Sequence, residues 1–384
     1  METGGVNHAD AEALAFGTLL LEGHAVRLSG QDCRRGTYTQ RHAVIRDVKT
    51  GESYTPLNNM RPISHKPDDA GKKNEQGKVT QAKLCVYDSP LSEEAVIGFD
   101  FGYSLADPSM LVLWEGQFGD FVNGAQVMLD QYVSSTEHKW KRWSAFTLLL
   151  PHGAEGNGPE HSSCRPERLL TACAKENWQV CYPSTGAQYF HLLRRQVNPD
   201  RKFRKPLAVL TPKSWVKTAT SNINDLMTGT FQELLDDTAF TQNNGTAPKG
   251  DRKNVKTVML CSGKVYHELA LHREATKKYD TALVRIEQFY PFHNELAKKI
   301  LGQYPAKAKL VWFQEEPRNN GAYMFLEDIF RNQLGLQLDV ISRPASPTPS
   351  GGSKHLHKDE QAALWEKALG PAPKAAESGV KAKA

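Results

Sequence analysis

Long apolar runs are missing from these 384 residues, and so is any strong excess of one charge. The longest apolar stretch, Phe146 to Leu150 with its neighbours, falls far short of the about 20 residues that a membrane-spanning helix needs. The opening residues, among them Glu2, His8, Asp10 and Glu12, offer no hydrophobic segment of a signal peptide, so the expected location is the cytoplasm, away from any membrane. Six cysteines (33, 85, 164, 173, 181 and 261) form no C-x-x-C pair and no metal-ligand spacing. Most lie in apolar surroundings and are expected to be small core residues of a reducing compartment, and no protein metal site is expected from them. A net charge of +5 is mild for this length. Arg194, Arg195, Arg201, Lys202, Arg204 and Lys205 do cluster, around the end of an expected helix where the macrodipole favours cations. No aromatics interleave with them, so they make no stacking surface for nucleic acid, and only an anionic effector or an acidic partner would suit them.

What is present is enough apolar residue, 39%, for two globular cores. Short apolar segments read as strands: Leu84–Tyr87, Met110–Trp114, Phe146–Leu150, Gln179–Tyr182, Ala208–Thr211, Thr257–Cys261, Ala282–Ile286, Leu310–Phe313 and Leu338–Ile341. Helical patterns lie between many of them, such as Glu93–Ser104, Asn123–Ser134, Pro166–Glu176 and Ala187–Gln196. Continuous apolar strands separated by helices predict an α/β fold, with two three-layer α/β domains and mostly parallel sheets. The polar stretch Lys217 to Lys249 is the expected junction. His65 to Thr80 reads as a solvated loop, and 371–384, rich in Ala and Lys, as a disordered tail.

Chemistry concentrates in a few places. Ser92-Glu93-Glu94 opens a glycine-punctuated apolar helix, and Trp114-Glu115-Gly116-Gln117-Phe118-Gly119-Asp120-Phe121 follows a strand. On one reading Ser92 is an N-cap, the glutamates answer the helix dipole, and Phe118 and Phe121 are core. On the other, a carboxylate protonates the ring nitrogen of a flat basic heteroaromatic while an aromatic stacks on its face. The second reading puts Phe118 and Phe121 at the carboxyl end of a strand, the edge where open α/β sheets bind ligands. Gln117 and Asp120 either support that site or bond loop backbone. The loop Pro151 to Ser163 carries two histidines, His152 and His161, able to donate to a carbonyl or carboxylate; its glycines do not form the dinucleotide fingerprint. Gln31 and Asp32 form another candidate wall, although Asp32, Arg34 and Arg35 equally suit a salt-bridged turn. Gln314-Glu315-Glu316-Pro317 reads as an interface or turn constellation.

Four motifs, RLSGQDCRRGT, WEGQFGDFVNGAQVMLDQ, LPHGAEGNGPEHSS and WFQEEPRNNGAY, together resemble the thiamine diphosphate-dependent decarboxylase (first) component of 2-oxoglutarate dehydrogenase, over about Asp10 to Leu369. The resemblance is to the C-terminal portion of that enzyme. It implies a transketolase-like pyrimidine-binding domain over 8–216 and the family's C-terminal domain over 217–370. It further implies thiamine diphosphate as cofactor, with Glu93 as the acid at the aminopyrimidine, Phe118 or Phe121 against that ring and His161 on the substrate side; the residues themselves add Gln117 as cofactor-binding beside the ring and Gln31 as a substrate-side wall. Either Phe118 or Phe121 supplies the stacking ring. The implied reaction is oxidative decarboxylation of 2-oxoglutarate, with transfer of the succinyl group to a lipoyl arm on the dihydrolipoyl succinyltransferase component. A 2-oxoadipate enzyme and a non-catalytic assembly partner are the alternatives. No Gly-Asp-Gly occurs in the sequence. The family's Mg²⁺ and diphosphate ligands are therefore expected from an upstream domain, on a longer chain, a homo-oligomer or a split-enzyme partner.

Overall fold

Strands that are apolar throughout can only be stable with both faces covered, and the computed structural model, which describes residues 5–64, 69–198, 204–241 and 247–371, has that arrangement. In the first compact unit, β1 (Val26–Gly30), β2 (Leu84–Asp88), β3 (Leu111–Glu115), β4 (Thr147–Pro151), β5 (Gln179–Cys181) and β6 (Leu207–Thr211) pair in parallel, in the order β2-β1-β3-β4-β6-β5. Every residue of β3, β4 and β6 is buried. Strand β1 has β2 on one side and β3 on the other. The chain therefore reverses its direction of growth at β1, and such a switch point opens a crevice at the carboxyl ends of the strands.

The helix His8–Leu21, which packs on Gly186–Arg195, is absent from the sequence expectations. Its apolar residues run round the helix instead of forming one stripe, which hides the 3.6-residue signal. Asn123–Ser134 is not the regular helix expected: a 3₁₀ turn (Gly119–Ala125) leads into Gln126–Met128 and a π turn (Leu129–Val133). Ser134 reinforces the wide turn, its backbone N–H and its hydroxyl both donating to the Leu129 carbonyl at 2.9 Å. The helix from Pro166 stops at Thr171 instead of reaching Glu176, and Lys175 and Glu176 beyond it are left-handed, with φ of 52° and 54°. The basic cluster is spread among structural contacts. Arg194 pairs with Glu22 at 2.8 Å and Arg195 lies 4.2 Å over the Phe231 ring, while Arg201 and Lys202 lie outside the described residues.

The second unit holds β7 (Leu234–Leu235), β8 (Thr257–Cys261), β9 (Thr281–Ile286), β10 (Lys309–Pro317) and β11 (Asp339–Arg343), in the order β11-β10-β8-β9-β7. All pairs are parallel except the β7 edge, which is antiparallel to β9. Met259, Leu283 and Phe313 form its core with Leu364 and Leu369 of the helix Lys354–Leu369. That helix starts where Ser353 Oγ accepts from Leu356 N at 3.3 Å, and its Trp365 stacks on Phe313 with ring centroids 5.0 Å apart.

The two units are not consecutive in sequence. Gly153–Thr171, which falls inside the first domain expected from the sequence, packs with the second unit, while Ala172–Phe231 returns to the first. Ala154 N donates to Glu315 Oε1 (2.8 Å), Gly321 N to Glu167 Oε2 (2.9 Å), and Ser350 Oγ to Ser162 Oγ (3.0 Å). The tail from 372 and residues 65–68 of the expected solvated loop lie outside the described residues. Among the described residues, no helix is long and apolar enough to cross a membrane.

Candidate active site

At the end of β1 the backbone has to pass close to β3. Gly30 has φ of 150°, and a Cβ there would lie 2.3 Å from the Glu115 carbonyl oxygen, so only glycine fits. The next residue, Gln31, projects from this close approach and donates from Nε2 to Glu93 Oε1 at 3.2 Å. Glu93 is the first residue of the helix Glu93–Ala106, whose N-cap is Ser92, with Oγ 3.4 Å from Ala95 N. The N-cap and the Gln31–Glu93 hydrogen bond therefore coexist in one helix start. Glu93 is half-buried and Glu94 is exposed. Two helical turns on, buried Asp100 accepts from Ser29 Oγ and, at 2.8 Å, from Arg27 Nε. Ser29 lies in the strand and Gln31 directly past its end, while Glu93 and Asp100 share one side of a helix. Two rungs, Ser29–Asp100 and Gln31–Glu93, thus set the register of this helix against β1.

Strand β3 delivers Gln117 and Phe118 just beyond its carboxyl end. Phe118 and Phe121 meet edge to face, centroids 5.8 Å apart, and Tyr38 meets Phe118 likewise at 5.9 Å. Both phenylalanines are half-buried, so neither is a core residue. Gly124, at the end of the same turn, faces the acid: a Cβ on it would lie 3.4 Å from Glu93 Oε2. The fold thus gathers Gln31, Glu93, Gln117, Phe118 and Phe121 around the switch point of one sheet. Asp32 pairs with Arg35, and Arg34 N donates to Asp88 Oδ1 (2.9 Å), so the salt-bridged turn is present beside Gln31.

Sequence reasoning missed what holds this edge together. Arg41 is buried and uses all five of its N–H donors. Nε and Nη2 reach Glu12 (2.6 and 3.1 Å), Nη1 and Nη2 reach Glu115 (2.7 and 2.6 Å), and Nη1 also reaches the Cys33 carbonyl (2.8 Å). Tyr189 Oη donates to Glu12 Oε2 at 2.8 Å. Burial opposes the charge on Arg41, but the two carboxylates outweigh it and hold the guanidinium protonated. Burial also pushes the Glu115 carboxyl up, against the pull of Arg41. The Cys33 thiol is raised by burial and by Glu115, so it stays protonated and inert. This clamp ties the loop carrying Gln31 and Tyr38 to the helix His8–Leu21 and to the end of β3, two residues before Gln117. A cavity of about 20 Å³, the size of one water, lies between the clamp and Tyr38, lined also by His8 and Gln40. One sequence signal was available: Glu115 closes a strand otherwise apolar and wholly buried, and a buried carboxylate demands a partner.

His161 belongs to the second unit, in the turn Pro159–His161, and is half-buried. His152 is buried at the end of β4, its N–H donating to the Thr211 carbonyl at 2.9 Å and its ring edge-on to Tyr182. Among the described residues, no group of three or more His, Cys, Asp or Glu is placed to hold a metal ion.

Residues 5–218 match the family model described as transketolase, pyrimidine binding domain, and residues 220–369 match 2-oxoglutarate dehydrogenase C-terminal. The chain is similar to the 2-oxoglutarate dehydrogenase E1 component of Cupriavidus necator, 46% identical over 366 residues, covering 93% of this chain and 36% of that one. The like-named component of Haemophilus influenzae is 44% identical over 363 residues, covering 94% and 36%. That of Brucella anthropi is 46% identical over 381 residues, covering 96% and 36%. This chain therefore spans only about a third of the length of the relatives it matches, 36% in each case. The chain belongs to the transketolase pyrimidine-binding family, in the form that joins this domain to a 2-oxoglutarate dehydrogenase C-terminal domain.

Proposed function

We propose that this chain supplies the aminopyrimidine-binding and substrate-side residues of a thiamine diphosphate-dependent 2-oxoglutarate decarboxylase, which passes the succinyl group to the lipoyl arm of a succinyltransferase partner. The names of its relatives support the substrate and the partner. The observation that carries the reading is the setting of Glu93. One carboxylate oxygen is held by Gln31, the other faces a glycine with no Cβ, and two half-buried aromatic rings stand on the turn that ends at that glycine. These residues fit the aminopyrimidine end of the cofactor: an acid beside an open approach, with rings able to cover a flat heterocycle. When bound, thiamine diphosphate supplies the carbon nucleophile that adds to the 2-oxo carbon and the electron sink that lets carbon dioxide leave. Glu93 holds a proton at the ring nitrogen, and Gln31 orients the carboxyl from its other oxygen. Phe118 and Phe121 keep the ring plane and exclude water, which strengthens that hydrogen bond.

His161 is assigned to the substrate, donating a hydrogen bond where negative charge develops on the 2-oxo acid. His161→Ala is expected to cost about 2–4 kcal/mol in kcat/KM for the 2-oxo acid, with thiamine diphosphate affinity unchanged. Steady-state kinetics and a cofactor titration on the enzyme assembled with a diphosphate-binding domain check this. A loss of cofactor affinity at unchanged turnover would assign the histidine elsewhere, as would a larger loss from His152→Ala.

The direct test of the whole reading uses these 384 residues produced alone. Mg²⁺ is ordinarily held by one or two carboxylates together with phosphate oxygens, and no Gly-Asp-Gly is present to supply them. Expected are a folded protein, no saturation at micromolar thiamine diphosphate with Mg²⁺, and no decarboxylation. Both functions should return when a relative's diphosphate-binding portion is added in trans. Vigorous decarboxylation by these residues alone would sink the division of labour proposed here.

A further inference from the structure

Within the second unit, a buried ion pair grips the neck of the loop that carries His161. The Glu315 carboxylate accepts from Ala154 N through Oε1 (2.8 Å) and from Lys264 Nζ through Oε2 (2.8 Å), and Lys264 Nζ lies 3.4 Å from the carbonyl oxygen of the same Ala154. The three groups close a ring that satisfies both the N–H and the C=O of one loop residue. Lys264 and Glu315 side chains are 2% and 3% exposed; Lys264 lies just past β8, at the N-cap of the helix Val265–Thr276, and Glu315 lies near the carboxyl end of β10, the parallel neighbour of β8. Lys264 also reaches Glu268 Oε1 at 3.2 Å. The fit at the neck is tight. Gly153 has φ of 140°, and a Cβ there would lie 2.7 Å from Lys264 Cε and 3.3 Å from Glu315 Oε1. Gly153 N in turn donates to the Ser162 carbonyl at 2.9 Å, closing the loop one residue after His161. Ser162 Oγ donates back to the Gly158 carbonyl (2.7 Å) and accepts from Ser350 Oγ (3.0 Å).

A buried lysine–carboxylate pair is a poor source of net stability, because desolvation offsets most of the attraction. It is well suited to fixing geometry. We propose that Glu315 and Lys264 are positioning residues which, through Ala154 and the Gly153–Ser162 closure, set the place of His161. The substrate-side consequence rests on the assignment of His161 made above; the effect on the loop does not.

Glu315→Gln keeps an acceptor for Ala154 N–H but removes the nearer of the two carboxylates that Lys264 faces, and Lys264→Gln is the second variant should the first fold poorly. Hydrogen–deuterium exchange of the full 384-residue chain is the first readout. Bonds to charged groups are the stronger ones, so amide exchange at Gly153 and Ala154 should rise at least about tenfold, with strand Thr257–Cys261 unchanged. In the enzyme assembled with a diphosphate-binding domain, KM for the 2-oxo acid should rise several-fold at unchanged thiamine diphosphate affinity. Unchanged exchange at the neck overturns the proposal whatever the kinetics show. An equal rise throughout the second unit overturns it too, since the pair would then be a general stabiliser. Faster exchange at the neck with an unchanged KM upholds the grip on the loop and removes the substrate role from His161.

Discussion

Glu93→Gln is expected to lower turnover of the assembled enzyme by about 10²–10⁴-fold while leaving the fold intact, the range for losing a positioned general acid. The amide is isosteric and can still bond Gln31, so the rung to β1 survives, as does the Ser29–Asp100 rung that sets the helix register. What is lost is a transferable proton facing the open side at Gly124. Glu94→Gln, one residue on and exposed, should change turnover little. The paired comparison isolates the chemistry from a general effect of the helix start, because both substitutions replace a carboxyl by an amide in the same first turn. Equal losses from the two variants would show that charge at the helix start matters and the acid does not. Stopped-flow decarboxylation, with circular dichroism as the folding control, makes the measurement.

Arg41→Met should destabilise the first unit by about 3–5 kcal/mol, the cost of removing one partner from a buried ion pair. The thioether fills much of the space but leaves Glu12 and Glu115 facing each other with no cation, and the Cys33 carbonyl without its donor. Arg41→Lys should recover only part of the loss, since a single ammonium cannot serve two carboxylates and a carbonyl in the fork geometry of a guanidinium. The variant's stability should depend on pH in a definite direction. Burial already pushes Glu115 up, so without Arg41 it is the group that protonates in the folded state. A carboxyl raised in the fold disfavours folding as the pH climbs above its unfolded value, so the deficit should shrink as the pH falls toward the ordinary carboxylate range. Urea denaturation followed at several pH values checks both size and slope. A deficit below about 1 kcal/mol would mean that the clamp is not formed in solution.

The parts of the fold legible in the sequence were those written in local, repetitive terms. Strands such as Leu111–Glu115 and Thr281–Ile286 are mostly apolar and buried at every residue, and that continuous burial is what parallel pairing between helices requires. Gln31 and Phe118 sit in long motifs just past strand ends, and Glu93 sits at a capped helix start, so their arrival at one sheet edge follows from connectivity. Tyr38 and the Arg41 clamp were not legible, because Glu12, Arg41, Glu115 and Tyr189 are far apart in sequence and each alone resembles a surface residue. The π turn at Leu129–Val133 is accompanied by two serines, Ser134 and Ser135, whose hydroxyls reach back five residues, a choice that no periodicity reveals.

The path of the chain through Gly153–Thr171 bears on any attempt to dissect this protein. The matched family regions meet near residue 219, which invites a cut there and separate expression of the remainder. A fragment beginning at that point would omit Ala154, Ser162 and Glu167. Glu315 would then keep Lys264 but lose the Ala154 N–H, Ser350 would lose its partner hydroxyl, and Gly321 N would lose its carboxylate. Such a fragment would be soft around the ends of β10 and β11 for want of 19 residues encoded upstream of the cut, between Gly153 and Thr171. A fusion that appends Gly153–Thr171 to the fragment through a flexible linker is the design that the contacts call for.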